Sequence, residues 1–174
     1  MEPFKPILRR RWEEAERLIE AVRVSRGPTL DLSGLRLFFL PETIKQLGWL
    51  TNLDVDYNAL LSLPDWMAEM VGLTSLDVGY NGLGSLPDWM AGLKGLTSLD
   101  VSGNGLRSLP DWMAEIKGLT SLDVSGNRLQ SIPREIFDIP LLEKLDVSEN
   151  PCSSAIEGYV VDPDIIFEAL YAEH

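Results

Sequence analysis

One sequence pattern recurs every 23 residues along most of this chain. Three residue types keep that spacing: an asparagine and a proline that each recur five times, and an aspartate that recurs six times. The asparagines are Asn58, Asn81, Asn104, Asn127 and Asn150, the prolines are Pro41, Pro64, Pro87, Pro110 and Pro133, and the aspartates are Asp31, Asp54, Asp77, Asp100, Asp123 and Asp146. A period of this length indicates stacked structural units, each of which buries its apolar side against its neighbours.

The unit at 73–95 predicts the course of each coil. Leu76 and Val78 flank Asp77, and this alternation is typical of a short strand with one buried face. The other apolar positions are too widely spaced for one amphipathic helix, but all can point inward from a coil that turns once per unit. Asn81 follows the strand, where its amide can bond to unpaired backbone groups of the bend. We therefore expect a ladder of asparagines inside the stack.

The pattern LxxLxLxxNxLxxLPxxLxxLxx resembles the leucine-rich repeat, in the 23-residue LP-containing form of Ras-group-like and many bacterial leucine-rich repeat proteins. The resemblance implies an α/β fold, namely a right-handed solenoid or horseshoe segment. It implies a concave parallel sheet of about six strands, with a turn or short helix from each unit on the convex side and helical caps at both ends.

We expect a single domain over residues 1–174, in which the repeats are closed by a helical cap at each end. The boundaries are 1–27 for the N-terminal cap, 28–150 for the repeats and 151–174 for the C-terminal cap. Apolar residues at steps of three and four, from Leu8 through Trp12 to Val22, predict a helix over 7–24. The Asp-Pro-Asp start at 162–164 and the apolar residues after it predict a second helix over 163–171.

Repeat one, near Thr29, departs from the consensus. Phe38 and Phe39 stand where later units have small polar residues. Packing of at least one phenylalanine beneath the N-terminal helix is the favoured interpretation, and an exposed apolar patch is the alternative. On that helix, the three arginines at 9–11 could form a basic binding patch, but acidic residues one turn away favour a solvated helix face.

Charge and cysteine content limit the classes of partner. The net charge is −12, and residues 1–27 carry seven Lys or Arg against five Asp or Glu, whereas the remainder carries eight against twenty-two. The repeats should therefore repel nucleic acid and anionic membranes. A single cysteine and no signal-peptide pattern favour the cytoplasm, although leaderless secretion stays open. We expect a monomer.

The residues that a catalytic or metal site would require are absent from the sequence pattern. Cys152 falls at a buried leucine register, and His174, the one histidine, is the last residue given. A cysteine or serine nucleophile would need a base beside it. We expect neither an enzyme nor a cofactor nor a metal.

The sequence favours a non-enzymatic module that binds a partner protein, with a basic segment in that partner, on its concave face. Repeats two and three, from Leu50 and Leu73, combine tyrosines with carboxylates, the mixture that binding sites favour. The candidate residues are Asn52, Asp54, Asp56, Tyr57, Ser75, Asp77, Tyr80 and Asp100. The aspartates taken alone are more simply explained as the usual filling of this strand.

Two alternatives stay open at this point. A convex patch of Trp66, Trp89 and Trp112 could bind the partner, although a half-buried ladder is the favoured interpretation of these residues. The chain could also be the substrate- or partner-recognition domain of a larger signalling enzyme or bacterial effector, with a kinase, GTPase or ubiquitin-ligase domain.

Overall fold

The computed structural model describes residues 4–152 and 166–167. Helix α1 spans Phe4–Ser25 and is followed by strands at intervals of 23 residues. The strands are β1 (Thr29–Asp31), β2 (Asn52–Asp54), β3 (Ser75–Asp77), β4 (Ser98–Asp100), β5 (Ser121–Asp123), β6 (Lys144–Asp146) and, last, β7 (Ile166–Phe167). All lie in one parallel sheet in chain order, and each repeat strand pairs with the same residues of the next unit.

A short helix lies across each coil from its strand. Four are 3₁₀ helices, at Glu42–Gln46, Asp65–Glu69, Asp88–Gly92 and Asp111–Glu115, and the next unit has the α-helical turn α2 at Arg134–Phe137. Each begins after the repeated proline, whose extended backbone has φ −75° and ψ 146° at Pro64. Proline suits a helix start because no backbone donor is needed there. The predicted turn or short helix is confirmed.

The core is a column of leucine-register side chains that runs through every unit. In the third unit these are Leu73, Leu76, Val78, Leu83, Leu86, Met90 and Leu93, none more than 6% exposed. Cys152 continues one leucine register and is 3% exposed, as the sequence predicted. Burial raises the pKa of its thiol. The sheet therefore has one side on the core; its other side, the concave face, carries the residues that flank each central leucine.

The predicted asparagine ladder is present, and Asn104 shows its geometry. Its amide nitrogen donates to the carbonyl oxygens of Val101 and Ser102 in its own unit, both at 3.0 Å. It donates to Val78 of the preceding unit at 3.0 Å, and its Oδ1 accepts from the Leu83 N–H at 2.9 Å. One side chain thereby joins two coils. Asn58, Asn81, Asn127 and Asn150 make the same contacts.

Helix α1 packs on the first repeat through only part of its apolar stripe. Ala15 and Ile19 are buried against β1 and the first 3₁₀ helix, whereas Trp12 is 41% exposed. Phe38 and Phe39 are 52% and 75% exposed, so the prediction that at least one packs beneath the helix is wrong. The middle turns of the helix therefore make the buried contacts with the first coil, whereas its N-terminal half leaves both phenylalanine rings exposed.

The C-terminal prediction also needs correction. Within the range 163–171, predicted as helix, Ile166–Phe167 form a strand that pairs with Lys144 and Leu145 of β6. The other residues of that range lie outside the described residues. An added strand satisfies backbone groups that β6 would otherwise leave unpaired at the edge of the sheet, and β-branched and aromatic residues suit this role. Among the described helices, none is long and apolar enough to cross a membrane.

The ladder predicts a large effect of a small truncation. Asn104→Ala should lower the free energy of unfolding by about 2–3 kcal/mol, because buried backbone groups in two coils lose their partners. Urea denaturation would measure the change. Asn52→Ser is the matched control, since serine occupies this strand position in the next three units, and it should alter stability by less than about 0.5 kcal/mol. Equal stability of Asn104→Ala and the parent chain would contradict the role assigned to the ladder.

Candidate functional site

One register of every unit has a left-handed backbone. It holds Gly34, Tyr57, Tyr80, Gly103, Gly126 and Glu149, with φ between 48° and 66°. Glycine adopts this conformation freely, whereas a bulky side chain there costs of the order of 1–2 kcal/mol. The backbone N–H groups of Tyr57 and Tyr80 still donate to the next unit, at 3.1 and 2.8 Å. Because the sheet imposes the conformation, the two tyrosines stand at strained positions, and such strain often marks a functional site.

The two tyrosine rings stack face to face just beyond the ends of β2 and β3. Their centroids are 4.4 Å apart and their planes differ by 4°. The rings are in register because neighbouring parallel strands lie about 4.8 Å apart. Tyr80 in turn lies against Gly103, where an added Cβ would come within 2.7 Å of the ring. Glycine in the fourth unit therefore leaves room for the stack, and the tyrosines remain 56% and 51% exposed.

Three carboxylates lie in the same two units. Oxygen atoms of Asp54, Asp56 and Asp77 can be chosen that all lie within 4.8 Å of one another. Burial, followed by the charge of Asp54, raises the pKa of Asp56 to about 6. Burial, with the charges of Asp100 and Asp54, raises the pKa of Asp77 to about 7, against a hydrogen bond from Gly79 that lowers it. No ion pair found within residues 4–152 neutralises these three groups.

The repeated aspartate has a structural role in every unit. Its Oδ1 accepts the backbone N–H of the residue two positions later, as Asp77 does from Gly79 at 2.9 Å. The same bond is made by Asp31, Asp54, Asp100, Asp123 and Asp146, at 2.8–3.1 Å. This bond fixes the turn after each strand. Asp56 is not one of the repeated aspartates, and its carboxylate completes the group of three with Asp54 and Asp77.

The remaining concave candidates lie beside this cluster. Asn52 and Ser75 face each other across β2 and β3, two residues before the aspartates and on the same side of the sheet. Asp100 lies opposite Asp77, on β4. All three are half-buried. The structure thus groups the tyrosines with Asp54, Asp56 and Asp77 and leaves the other candidates at the border of the group.

The convex tryptophans are packing residues in this structure. Trp66, Trp89 and Trp112 are half-buried and pack against the core. The indole N–H groups of Trp89 and Trp112 are buried without a hydrogen-bond partner. A binding anchor would present its ring and its N–H to a partner, so this geometry favours the half-buried ladder over a binding patch.

Sequence reasoning missed the left-handed register. The signal was present, because the tyrosines align with Gly103 and Gly126, and a glycine repeated after a strand often marks a positive φ. It also missed the stack itself, which depends on the pairing of equivalent residues in adjacent units.

The raised pKa of Asp77 predicts a pH dependence of stability. The folded state holds this proton more tightly than the unfolded chain, so the stabilising effect is complete below about pH 3.8 and is lost as pH rises through about 7. Asp77→Asn keeps a hydrogen-bond acceptor for the Gly79 N–H but has no carboxylate to ionise. Between pH 4 and pH 8 its free energy of unfolding should therefore fall by about 1–2 kcal/mol less than that of the parent chain, a value reduced for solvent screening. Urea unfolding at pH 4 and pH 8 would measure it.

Asp31→Asn is the control for this prediction. Asp31 makes the same turn bond, to Ser33 at 2.9 Å, at the exposed end of the register. The Asp31→Asn variant should keep most of the pH dependence of the parent chain, because Asp31 is not among the groups whose charge raises the pKa of Asp77. If both variants flatten the pH dependence equally, the effect does not come from the cluster in units two and three.

Comparisons with known proteins agree with the repeat and the fold. Two leucine-rich repeat family models match, one at residues 48–106 and the other at 118–139. Curated protein sequences gave no match. As many as 329 chains of solved structures match, so structural likeness by itself points to an architecture that many proteins share.

One matching structure is entitled "Structure of Shigella effector LRR domain". It is 27% identical in sequence, with a TM-score of 0.64, and the match covers 79% of the present chain. The match spans only 56% of that structure's chain. Six in-register repeat strands, the asparagine ladder and these matches together identify this chain as a leucine-rich repeat protein.

Proposed function

We propose that this protein is a non-enzymatic module that binds a partner protein on its concave face, at repeats two and three. The observation that carries the proposal is the stacked pair Tyr57–Tyr80 beside three carboxylates that no described basic group neutralises. We propose a basic segment as the part of the partner that docks there.

A lysine or arginine side chain fits both halves of this site. Its charge would offset the repulsion among Asp54, Asp56 and Asp77, and its stem or guanidinium could lie on the exposed tyrosine rings. The raised pKa values of Asp56 and Asp77, about 6 and 7, add a pH dependence. A cation binds best to ionised carboxylates, so affinity should increase as pH rises from about 6 to about 8.

The rest of the concave face offers less to a partner. At the positions equivalent to the tyrosines, units four and five have Gly103 and Gly126, preceded by Ser102 and Ser125. These small residues provide little contact area and no aromatic anchor. The proposed site therefore ends near Asp100, at the border with the fourth unit.

Other features of the proposal follow from charge and composition. The acidic repeats would repel nucleic acid and anionic membrane surfaces. We propose that the protein acts as a monomer in the cytoplasm and requires no cofactor. Leaderless secretion is an alternative location that the sequence leaves open.

A second candidate function is recognition within a larger protein. The likeness to a Shigella effector LRR domain favours it, because that structure is described as one domain of an effector. In that case the concave site would select a substrate or partner for an attached kinase, GTPase or ubiquitin-ligase domain. The full-length gene would show whether such a domain is encoded beside the repeats.

The experiment selects peptides from a random display library on the immobilised protein and then measures their affinities. Peptides that bind the concave face should be rich in arginine and lysine. In the double variant Tyr57→Gly with Tyr80→Gly, the binding free energy of these peptides should be weaker by on the order of 2 kcal/mol, as at interface hot spots. Glycine is chosen because it removes the side chain and adopts the left-handed backbone conformation without strain.

Charge is tested with two triple variants of equal charge change. Asp54→Asn, Asp56→Asn and Asp77→Asn together should slow association and flatten its salt dependence. The control neutralises the exposed aspartates at the starts of three convex helices, Asp65, Asp88 and Asp111, and should have little effect. Selected basic peptides that bind all of these variants alike would refute the proposed site.

A further inference from the structure

An open apolar groove of about 230 Å³ lies between helix α1 and the first repeat, outside the concave site. Leu8 and Trp12 of the helix line one wall, and Phe38 and Phe39 line the other. All four side chains are at least 41% exposed. Large apolar residues gathered in one exposed place on a protein are a mark of an interaction surface.

The groove arises from a departure in one unit. Phe39 aligns with Ser62, Ser85, Ser108 and Ser131 of the next four units. It is 75% exposed, so the aromatic ring makes little contribution to the core. Phe38 aligns with Leu61, which is also exposed, at 74%, but Leu61 is not among the residues that line the groove.

The charged residues at this groove are basic. Arg11 and Arg36 line it, and within residues 4–152 neither forms an ion pair. The acidic residues of the helix nearest to them are already engaged. Glu13 pairs with Arg9, Glu14 pairs with Arg17, and Glu16 accepts a hydrogen bond from Thr43. The groove therefore combines an apolar floor with two unneutralised guanidinium groups.

We propose that this groove binds an acidic peptide segment that inserts an aromatic or large aliphatic side chain. The volume exceeds the roughly 150 Å³ that accepts a benzene ring in an engineered protein cavity. The two arginines would bind carboxylates on either side of the inserted residue, and arginine favours such contacts because its planar fork can bind both oxygens. The site is opposite in charge to the proposed concave site and independent of it.

Two other occupants are less favoured. An anionic membrane would meet a recessed groove rather than a protruding apolar face. Because a membrane is far broader than a peptide, it would also lie against residues 28–174, which carry eight basic against twenty-two acidic residues and would repel it. A second copy of this chain could offer acidic surface, but such a head-to-tail contact leads to open assemblies unless the rotation between copies closes a ring. Both are outcomes of the test.

The test is a titration of the isotope-labelled full chain, followed by NMR, with the acetylated peptide Asp-Glu-Leu-Phe-Glu-Asp. Signals of groove residues, including the Trp12 indole N–H, should shift. Two comparison peptides separate the contributions. Asp-Glu-Ser-Ser-Glu-Asp has the charge without the anchor, and Arg-Lys-Leu-Phe-Lys-Arg has the anchor with reversed charge; neither should shift the groove signals at the same concentration.

Three variants keep the fold and alter the groove or a matched surface. Phe39→Ser introduces the serine that the next four units have at this position. It should lower the affinity for the acidic peptide about fivefold or more. Arg11→Gln with Arg36→Asn should weaken it and remove the salt dependence; asparagine is chosen because Arg36 has φ 55°, which asparagine tolerates. Leu61→Ser removes an equally exposed apolar side chain outside the groove and should leave the affinity unchanged.

Several results would overturn the proposal. These are groove signals that stay in place up to the solubility limit of the acidic peptide, equal binding of the reversed-charge peptide in the groove, or unchanged affinity of Phe39→Ser. Sedimentation with phosphatidylserine vesicles that Phe39→Ser abolishes would assign the groove to membranes. Concentration-dependent association in the ultracentrifuge that Phe39→Ser abolishes would assign it to self-assembly.

Discussion

Every coil of this protein must bend immediately after a strand of only three residues, and the bend leaves backbone groups that the sheet does not pair. Buried groups of this kind need partners. One asparagine per unit supplies them, and it bonds to its own coil and to the preceding one. The constant spacing of the asparagines follows from this requirement, because an amide in the wrong register could not reach both coils. The leucine column and the parallel sheet are compatible with that spacing and depend on it.

The repeating part of the fold could be predicted from the sequence, whereas the predictions for features that occur only once needed correction. The strand positions, the core registers and the burial of Cys152 follow from periodicity, which averages local ambiguity over several units. Phe39 and the strand at Ile166–Phe167 occur once each, and their surroundings depend on how far a terminal helix reaches or which sheet edge is free. The same distinction applies to the site. Asp54 and Tyr57 could be predicted from their positions in the repeat, but the stacking of the tyrosine rings is visible only once two units are paired in the structure.

The concave cluster combines several features that each lower the stability of the fold, and the surrounding solenoid remains stable despite them. Tyr57 and Tyr80 have a backbone better suited to glycine, and Asp56 adds a carboxylate to two others. Each cost is small beside the hydrogen bonds and packing that define the coil on both sides. Unfavourable residues can thus be accommodated on the face that the core does not use. The apolar groove is different, since it lies at the end of the stack, where no further coil covers the side chains.

The identical register of successive strands has a consequence for the length of the molecule. Units four and five have nearly the same concave residues and join their neighbours through the same bonds. Duplication or loss of a unit at that junction would preserve every interface type and would change the span of the sheet by one strand spacing, about 4.8 Å. Length is therefore a nearly independent variable in this architecture, which evolution or a protein engineer could adjust in discrete steps while the tyrosine pair and the N-terminal groove keep their own neighbours.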